Sequence, residues 1–329
     1  PMKFSIIIPV YNRPYEVDEL LHSLATQQYT QFEVIVVEDG STVTCKDVVD
    51  YYSPLLDIKY FAKPNSGPGQ SRNYGAERSS GDYLIILDSD CIIPEGYFEA
   101  ILRFSSPLPD AFGGPDRAHA SFTPIQKAIN YSMTSFFTTG GIRGGKKKMD
   151  KFYPRSFNMG IRREVYNALG GFSAMRFGED IDFSIRIFKG GYSCKLIPDA
   201  WVYHKRRTDL RKFFKQVHNS GIARINLYKK YPESLKLVHL LPAAFTVGVV
   251  ALLIGAPFLP YTLWLIACYA LLVAIDATIQ NKNILIGLMA VCASFVQLIG
   301  YGSGFLCAWW QRCVLGKDEF SAFNKNFYK

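Results

Sequence analysis

Two carboxylates one residue apart, in Asp88-Ser89-Asp90, are the side chains of this sequence best suited to hold a divalent metal ion. Mg²⁺ and Mn²⁺ prefer carboxylate, water and phosphate oxygens, and they usually take one or two protein carboxylates beside the phosphates of a substrate. A lone acidic pair also occurs in helix caps and solvated turns. This pair follows the apolar run Tyr83–Leu87, which indicates a buried strand, and that position favours the metal site.

A second carboxylate pair, Glu179-Asp180, lies in FGEDIDFSIRI, a segment that indicates the start of a helix. Carboxylates in the first turn of a helix gain from its dipole, and capping alone would account for them. Such a carboxylate can also serve as a general base that takes the proton of an attacking hydroxyl group. We expect Asp180 rather than Glu179 to be that base, with the metal ion stabilising the leaving group on the opposite side.

Two further side chains could act on a charged substrate. His204 follows the strand-like run Ala200–Tyr203, and it could bind the metal ion or donate a hydrogen bond to a diphosphate, although a lone histidine is often structural. Arg72, in SRNYG, could contact a phosphate or a nucleotide, or it could be an ordinary surface arginine.

The N-terminal part of the chain alternates apolar strands with helical segments, which predicts βαβ units and a largely parallel sheet. The predicted strands are Phe4–Val10, Phe32–Val37, Ile58–Ala62 and Tyr83–Leu87, and the predicted helices include Tyr15–Gln28 and Ser71–Ser79. Ligands of such sheets bind beyond the carboxyl ends of the strands. Three polar clusters fall at those ends: Tyr11-Asn12, Glu38-Asp39 and Asp88-Ser89-Asp90. We therefore expect these clusters to share one site.

The last third of the chain is almost free of charge from Leu237 to Gln311. It divides into the apolar segments Leu237–Leu259, Tyr261–Ile279 and Ile284–Trp310. Each is long enough to cross a hydrocarbon core of about 30 Å, which predicts membrane-embedded helices. Three crossings would place the basic tail, residues 312–329, on the outer side, against the positive-inside tendency. A break at Gly300–Gly304 would return the tail to the cytoplasm, so two to three spans are expected.

Much of the net charge of +9 lies between His204 and Lys236, directly before the apolar third. A basic segment beside a hydrophobic one indicates anionic membrane lipids as partners on the cytoplasmic side, although a solvated basic helix has the same composition. We expect no nucleic acid partner, because no recognisable binding module accompanies the charge.

The cysteines and the N-terminal residues indicate the cellular compartment in which the N-terminal domain lies. The seven cysteines contain no CxxC pair, which argues against a disulfide framework or a zinc site and fits a reducing compartment. Pro1-Met2-Lys3 leads directly into the first strand, without a secretory apolar segment. We expect a multi-pass protein of the cytoplasmic membrane whose N-terminal domain faces the cytoplasm.

The motifs together resemble those of the family 2 inverting glycosyltransferases of the GT-A fold, over roughly Lys3–His204. In order they are SIIIPVYNRP, FEVIVVEDGS, SGPGQSRNYG, GDYLIILDSDC, FNMGIRREV, GGFSAMRFGEDIDFSIRI and Val202-Tyr203-His204. The resemblance implies an α/β GT-A catalytic domain, Rossmann-like with a mostly parallel sheet, in residues 1–204. A basic amphipathic juxtamembrane region (205–236), membrane helices (237–311) and a basic tail (312–329) would follow.

The resemblance also implies roles for individual residues. The nucleotide-sugar pocket would contain Pro9, Tyr11, Asp39, Arg72, Asp88 and Ser89. Asp90, Asp88 and His204 would hold Mn²⁺ or Mg²⁺. Asp180 would be the catalytic base and Glu179 its neighbour on the acceptor side. The donor would be a UDP- or GDP-sugar in preference to a dTDP-sugar, and the acceptor would be lipid-linked.

These features favour a single-addition transferase in surface polysaccharide or glycolipid assembly. The sequence departs from the family pattern at Glu38, where an aspartate is frequent. It also lacks the QxxRW signature of processive synthases, since Gln216-Val217-His218-Asn219 does not supply it. A processive polysaccharide synthase remains an alternative, as does a catalytically silent membrane scaffold that binds nucleotide-sugars.

Overall fold

The computed structural model describes residues 2–139, 153–175 and 177–318, which divide into two compact units. The α/β unit comprises the described residues of 2–119 and 153–204. The helical unit comprises those of 120–139 and 205–318. Part of the predicted basic tail, residues 319–329, lies outside the described residues.

Strands occur in the α/β unit, and helices occur in both units. In chain order the strands are β1 (Phe4–Val10), β2 (Phe32–Asp39), β3 (Ile58–Lys63), β4 (Tyr83–Leu87), β5 (Cys91–Ile92), β6 (Ala111–Gly113), β7 (Asp116–Arg117), β8 (Asn158–Arg162), β9 (Cys194–Leu196) and β10 (Val202–His204). In chain order the helices are α1 (Pro14–Ala25), α2 (Lys46–Tyr52), α3 (Pro68–Glu77), α4 (Tyr97–Phe104), α5 (Pro124–Thr134), α6 (Phe136–Thr139), α7 (Arg163–Ala168), α8 (Glu179–Lys189), α9 (Leu210–Lys230), α10 (Leu241–Gly255), α11 (Leu263–Asn281) and α12 (Ile284–Trp309).

The main sheet is mostly parallel on one side of its centre and mixed on the other. Its described strands lie in the order β3-β2-β1-β4-β8-β6-β9. β1 runs parallel to β2 and β4, and β2 runs parallel to β3. β8 is antiparallel to both of its neighbours, β4 and β6. A smaller sheet has the order β5-β10-β7.

β1 is buried on both faces, as expected for a central strand of a parallel sheet covered by helices. Side chains alternate along a strand, so its residues enter two different cores. Ile6 and Ile8 share one core with Leu20 of α1. Ile7 shares the other with Phe183 of α8. The two cores hold the strand ends of this sheet at fixed positions.

The carboxyl ends of the parallel strands lie at one edge of the sheet. Asp39 ends β2, and Asp88 directly follows β4. In the smaller sheet, His204 of β10 pairs in register with Cys91 of β5. This pairing brings His204 beside the acidic triplet that precedes β5.

The predicted strands and helices of the N-terminal part are confirmed, with small changes in their bounds. β1 and β4 have the predicted limits, and β2 continues to Asp39. α1 begins at Pro14 and ends at Ala25, and α3 begins at Pro68. Proline suits the first turn of a helix because its φ is already helical and no intrahelical N–H bond is required there.

Within the described residues of the helical unit, three helices are long and apolar enough to span a membrane. They cover Leu237–Gly255, Pro260–Asn281 and Ile284–Val314. α10 and α11 expose large apolar side chains such as Ile254, Trp264 and Ile275, which supports membrane association.

The predicted break at Gly300–Gly304 is wrong, because α12 runs through this segment without interruption. Glycine serves helix packing there instead. A Cβ atom on Gly304 would lie 2.0 Å from the carbonyl oxygen of His218 in α9, and one on Gly221 would lie 2.2 Å from that of Tyr301. Small residues therefore let α9 and α12 approach each other closely, as in membrane helix pairs.

Candidate active site

Asp90 lies between two nitrogen-bearing side chains in the α/β unit. Arg13 Nη1 donates to Asp90 Oδ2 at 2.6 Å, and His204 Nε2 lies 3.2 Å from Asp90 Oδ1. The His204 ring stacks on Phe157, with the ring centroids 4.8 Å apart. His204 Nδ1 is buried without a hydrogen-bond partner among the described residues. The carboxylate and the imidazole are thus held beside each other.

These groups fit a divalent cation. Ligand atoms of Asp90, Cys91 and His204 all lie within 4.8 Å of one another. Burial and the carboxylates of Asp90 and Asp88 raise the pKa of the Cys91 thiol well above its usual value. The thiol also donates to the carbonyl oxygen of Phe157. A protonated thiol is a poor ligand, so the usable donors are Asp90 and His204, with phosphate and water oxygens completing the set.

Arg72 is a buried bridge between two acidic groups, and the surface interpretation of this residue is wrong. Its side chain is only 3% exposed. Nη2 donates to Asp88 Oδ1 at 2.9 Å, and Nη1 donates to Glu179 Oε1 at 3.1 Å. The guanidinium carbon lies 5.2 Å from the centre of the Phe172 ring. One fixed cation therefore joins the carboxylate after β4 to the first turn of α8.

Gly69 makes room for this arrangement. A Cβ atom at this position of α3 would lie 3.2 Å from Glu179 Cγ and 3.4 Å from Phe172 Cβ. The first of these distances is closer than ordinary van der Waals contact, so a glycine lets α3 approach the start of α8.

The pKa values of the two adjacent carboxyl groups at the start of α8 are shifted in opposite directions. Burial and the neighbouring Asp180 carboxylate raise the pKa of Glu179 to about 7. Burial opposes ionisation of Asp180 as well, but the guanidinium groups of Arg155 and Arg72 outweigh it and lower the pKa of Asp180. Arg155 Nε donates to Asp180 Oδ2 at 2.7 Å, and the backbone N–H of Ile181 donates to Oδ1 at 2.8 Å. Asp180 is therefore a carboxylate at neutral pH.

Asp39 uses its carboxylate to shape the turn before α3. Its side chain is fully buried and ion-paired with Lys63. The backbone N–H groups of Ser66 and Gly67 donate to its two oxygens, each at 2.8 Å. Asp39 thereby fixes the turn that leads into the helix carrying Arg72.

The other residues predicted for the nucleotide pocket lie at the same edge. Pro9 is buried near the end of β1, Ser89 is buried after β4, and Tyr11 is half-buried. Asn12 Oδ1 accepts hydrogen bonds from the backbone N–H and the hydroxyl group of Thr42, at 2.8 and 3.2 Å. This contact ties the segment after β1 to the segment after β2.

Sequence reasoning missed three cations, each paired with a predicted carboxylate. They are Arg13 on Asp90, Arg155 on Asp180 and Lys63 on Asp39. Arg13 and Lys63 stand at strand ends, so the rule that located the polar clusters could have found them. Arg155 precedes β8 in an irregular segment, and its neighbours in the sequence give no sign of its partner.

Comparison with known proteins identifies the family. A family model described as "Glycosyl transferase family 2" matches residues 5–170. The chain belongs to glycosyl transferase family 2. A second model, described as "Glycosyl transferase family group 2", matches residues 151–276.

Similar proteins, all named glycosyltransferases, differ in how much of their length this chain matches. An uncharacterized glycosyltransferase of Haemophilus influenzae is 31% identical over 194 residues, which cover 56% of this chain and 62% of that protein. Glycosyltransferase AglE of Haloferax volcanii is 26% identical over 250 residues, or 74% and 80% of the two chains. A Rickettsia bellii relative is 40% identical over 102 residues, 31% of this chain and only 15% of the relative. The chain thus matches a small part of some longer relatives.

Solved structures agree on the fold. The mannosyltransferase PcManGT from Pyrobaculum calidifontis superimposes with a TM-score of 0.62 at 19% identity, covering 89% of this chain and 87% of that one. Residues 1–349 of Staphylococcus aureus TarS give a TM-score of 0.50 at 18% identity, covering 96% and 92%. At such identities the likeness concerns architecture alone, and the family 2 chain described here has a GT-A-like fold with three apolar C-terminal helices.

Proposed function

We propose that this chain is a metal-dependent inverting glycosyltransferase, which moves a sugar from a nucleotide-diphosphate donor to an acceptor hydroxyl group. The observation that carries the proposal is the double contact of Arg72. A single buried guanidinium joins Asp88, on the predicted diphosphate side, to Glu179, on the predicted acceptor side. A donor sugar bound between these carboxylates would have its diphosphate beside the predicted metal site on one side. The predicted base would lie on its other side.

Asp90 and His204 would hold Mn²⁺ or Mg²⁺, with Asp88 beside the diphosphate. When bound, such an ion supplies positive charge that stabilises the departing diphosphate. Arg72 adds a fixed cation at the same edge, and a charge that is already oriented costs no reorganisation during the reaction. The solved PcManGT structure is a complex with GDP-Man and Mn²⁺, which supports this class of donor and ion.

Asp180 would be the general base. Its carboxylate stays ionised because Arg155 and a backbone N–H group stabilise the charge, so it is ready to accept the proton of an incoming hydroxyl group. Glu179 would contact the acceptor beside it. Attack from the base side, opposite the diphosphate, inverts the configuration at the transferred carbon.

The nucleotide would lie against the strand ends that carry Pro9, Tyr11 and Asp39, with the turn fixed by Asp39 forming one wall. Ser89 and Arg72 would complete this pocket. A UDP-sugar and a GDP-sugar both remain candidates for the donor.

The acceptor would be lipid-linked, in assembly of a surface polysaccharide or glycolipid. Support comes from the three apolar helices and from α9, whose exposed Arg211, Lys212 and Lys215 suit anionic headgroups. The catalytic domain (1–204) would face the cytoplasm, followed by the juxtamembrane region (205–236), the membrane helices (237–311) and the basic tail (312–329).

Turnover by the full chain in detergent tests the proposal. UDP- and GDP-sugars would be screened by thermal shift with Mn²⁺, and nucleotide release from the best donor would then be measured. We expect Asp90→Asn and Asp180→Asn each to reduce release by roughly a hundredfold or more. Asp180→Asn should retain the thermal shift, because this carboxylate acts on the acceptor side. Asp50→Asn, which removes an exposed carboxylate on α2, is the matched control.

Retention of turnover by both site variants would overturn the proposal. Donor binding by the wild-type chain without turnover for any acceptor would indicate the silent scaffold instead. Long products made from a single acceptor would indicate a processive synthase.

A further inference from the structure

One carboxylate oxygen of Asp90, which a metal ion would need as a ligand, is already paired with a cationic side chain. Arg13 Nη1 lies 2.6 Å from Oδ2. His204 lies against the other oxygen, Oδ1. A divalent ion that approaches Asp90 must therefore compete with a guanidinium for the same carboxylate.

Arg13 and Arg72 differ in their freedom to move. The Arg72 side chain is 3% exposed and bonded to two carboxylates, so it is fixed. The Arg13 side chain is 31% exposed. Its backbone is held, because its carbonyl oxygen accepts the N–H of Val17 in the first turn of α1. Arg13 thus has an anchored backbone and a side chain that can turn towards solvent or towards a new anion.

We propose that Arg13 is a counter-ion that occupies Asp90 until metal and donor arrive together. The inference rests on the proposed function and names a positioning residue for it. Without a donor, the guanidinium opposes the metal ion by competing for the Asp90 carboxylate. When a nucleoside diphosphate enters, its phosphates offer Arg13 another anion, and the carboxylate becomes free for the metal. Metal and donor then bind with positive coupling, in which each strengthens the affinity for the other.

Metal affinity, measured without turnover, tests this inference. Free Mn²⁺ would be followed by electron paramagnetic resonance during titration of the full chain in detergent. Arg13→Gln should bind Mn²⁺ roughly two- to fivefold more tightly than the wild-type chain in the absence of nucleotide, because the competing ion pair is gone. Arg103→Gln, which removes the same charge from an exposed position of α4, should leave the affinity unchanged.

The same titration with saturating UDP, and separately with GDP, measures the coupling. The nucleotide that binds should tighten Mn²⁺ binding more in the wild-type chain than in Arg13→Gln. Arg13→Lys keeps the charge and should resemble the wild-type chain. Arg13→Ala removes the charge by a different truncation, so it provides the test if Arg13→Gln does not fold.

Equal or weaker Mn²⁺ binding by the folded, uncharged variants in the absence of nucleotide would overturn the inference, whatever the turnover. Absence of Mn²⁺ binding in every variant would overturn it as well. Failure of the proposed function is a different result, since sugar transfer is measured separately from the affinity for Mn²⁺.

Discussion

Glu179 and Asp180 are adjacent in the sequence, but the cations around them differ. Arg155 bonds directly to Asp180, whereas Arg72 divides its charge between Glu179 and Asp88. A shared cation compensates the burial of Glu179 only in part, so its pKa is raised to about 7, while that of Asp180 is lowered. Environments that separate the pKa values of two carboxyl groups are typical of acid–base sites.

The raised pKa of Glu179 predicts a pH-dependent stability. The folded state holds the proton between the usual pKa, about 4.5, and about 7, whereas the unfolded chain has released it. Glu179 therefore lowers the free energy of unfolding as the pH rises through this window. The whole of this destabilisation is present above about pH 7. We expect Glu179→Gln, which cannot ionise, to lose less thermal stability between about pH 5 and about pH 8 than the wild-type chain.

Melting temperatures of both chains, measured across that range, check this expectation. Other groups titrate in both chains, so the difference between the two curves reports the Glu179 carboxyl group together with its effect on the adjacent Asp180. Curves that stay parallel across the whole range would contradict the assignment.

The sequence indicated which side chains belong to the candidate site better than it indicated which of them pair with one another. The carboxylates at Asp88, Asp90 and Asp180 stand out because they follow a strand or begin a helix, which are local patterns. Arg13 pairs with Asp90 across 77 positions of the chain. Such a pairing depends on which strands lie side by side, and hydrophobic periodicity carries no information about that order.

At the scale of elements, β1, β2 and β4 were predictable because each is a continuous apolar run that ends in polar residues. β8 is different. It enters the main sheet antiparallel to β4, after a long excursion of the chain. Its Gly160 accommodates the Phe112 ring of β6, where a Cβ atom would lie 2.0 Å from the ring. That fit is a tertiary property, which the short sequence of β8 does not reveal.

The close packing of α9 on α12 predicts a second stability effect. Gly304→Ala would place a methyl group 2.0 Å from a backbone carbonyl oxygen of His218, and neither helix can yield without moving its backbone. We expect a loss of roughly 1–3 kcal/mol in the free energy of unfolding, seen as a lower melting temperature in detergent.

Gly248→Ala in α10 is the matched control, because a Cβ atom there would meet no described atom within 4 Å apart from its chain neighbours and the adjacent backbone of its own helix. Alanine favours helix over glycine, so this variant should keep or slightly raise the melting temperature. Equal melting temperatures for the two alanine variants would contradict the packing argument.

At the scale of the whole molecule, the sequence gives least information about the order in which the chain enters the two compact units. α5 precedes part of the α/β unit in the chain, yet it packs within the helical unit. Its Ala128 and Ile129 share an apolar cluster with Ala290 and Ala293 of α12. The Tyr131 hydroxyl also donates to the carboxylate of Asp276 in α11 at 2.6 Å. Nothing in the local pattern of α5 indicates partners so far along the chain.

We propose that Asp180 directs the attack on the transferred carbon from the side opposite the departing nucleoside diphosphate. Proton NMR of the first-formed product tests it most directly. The wild-type chain in detergent would turn over its selected nucleotide-sugar with Mn²⁺, and the spectrum would be recorded before any released sugar undergoes mutarotation. We expect an anomeric configuration opposite to that of the donor. A product with the configuration of the donor would contradict it.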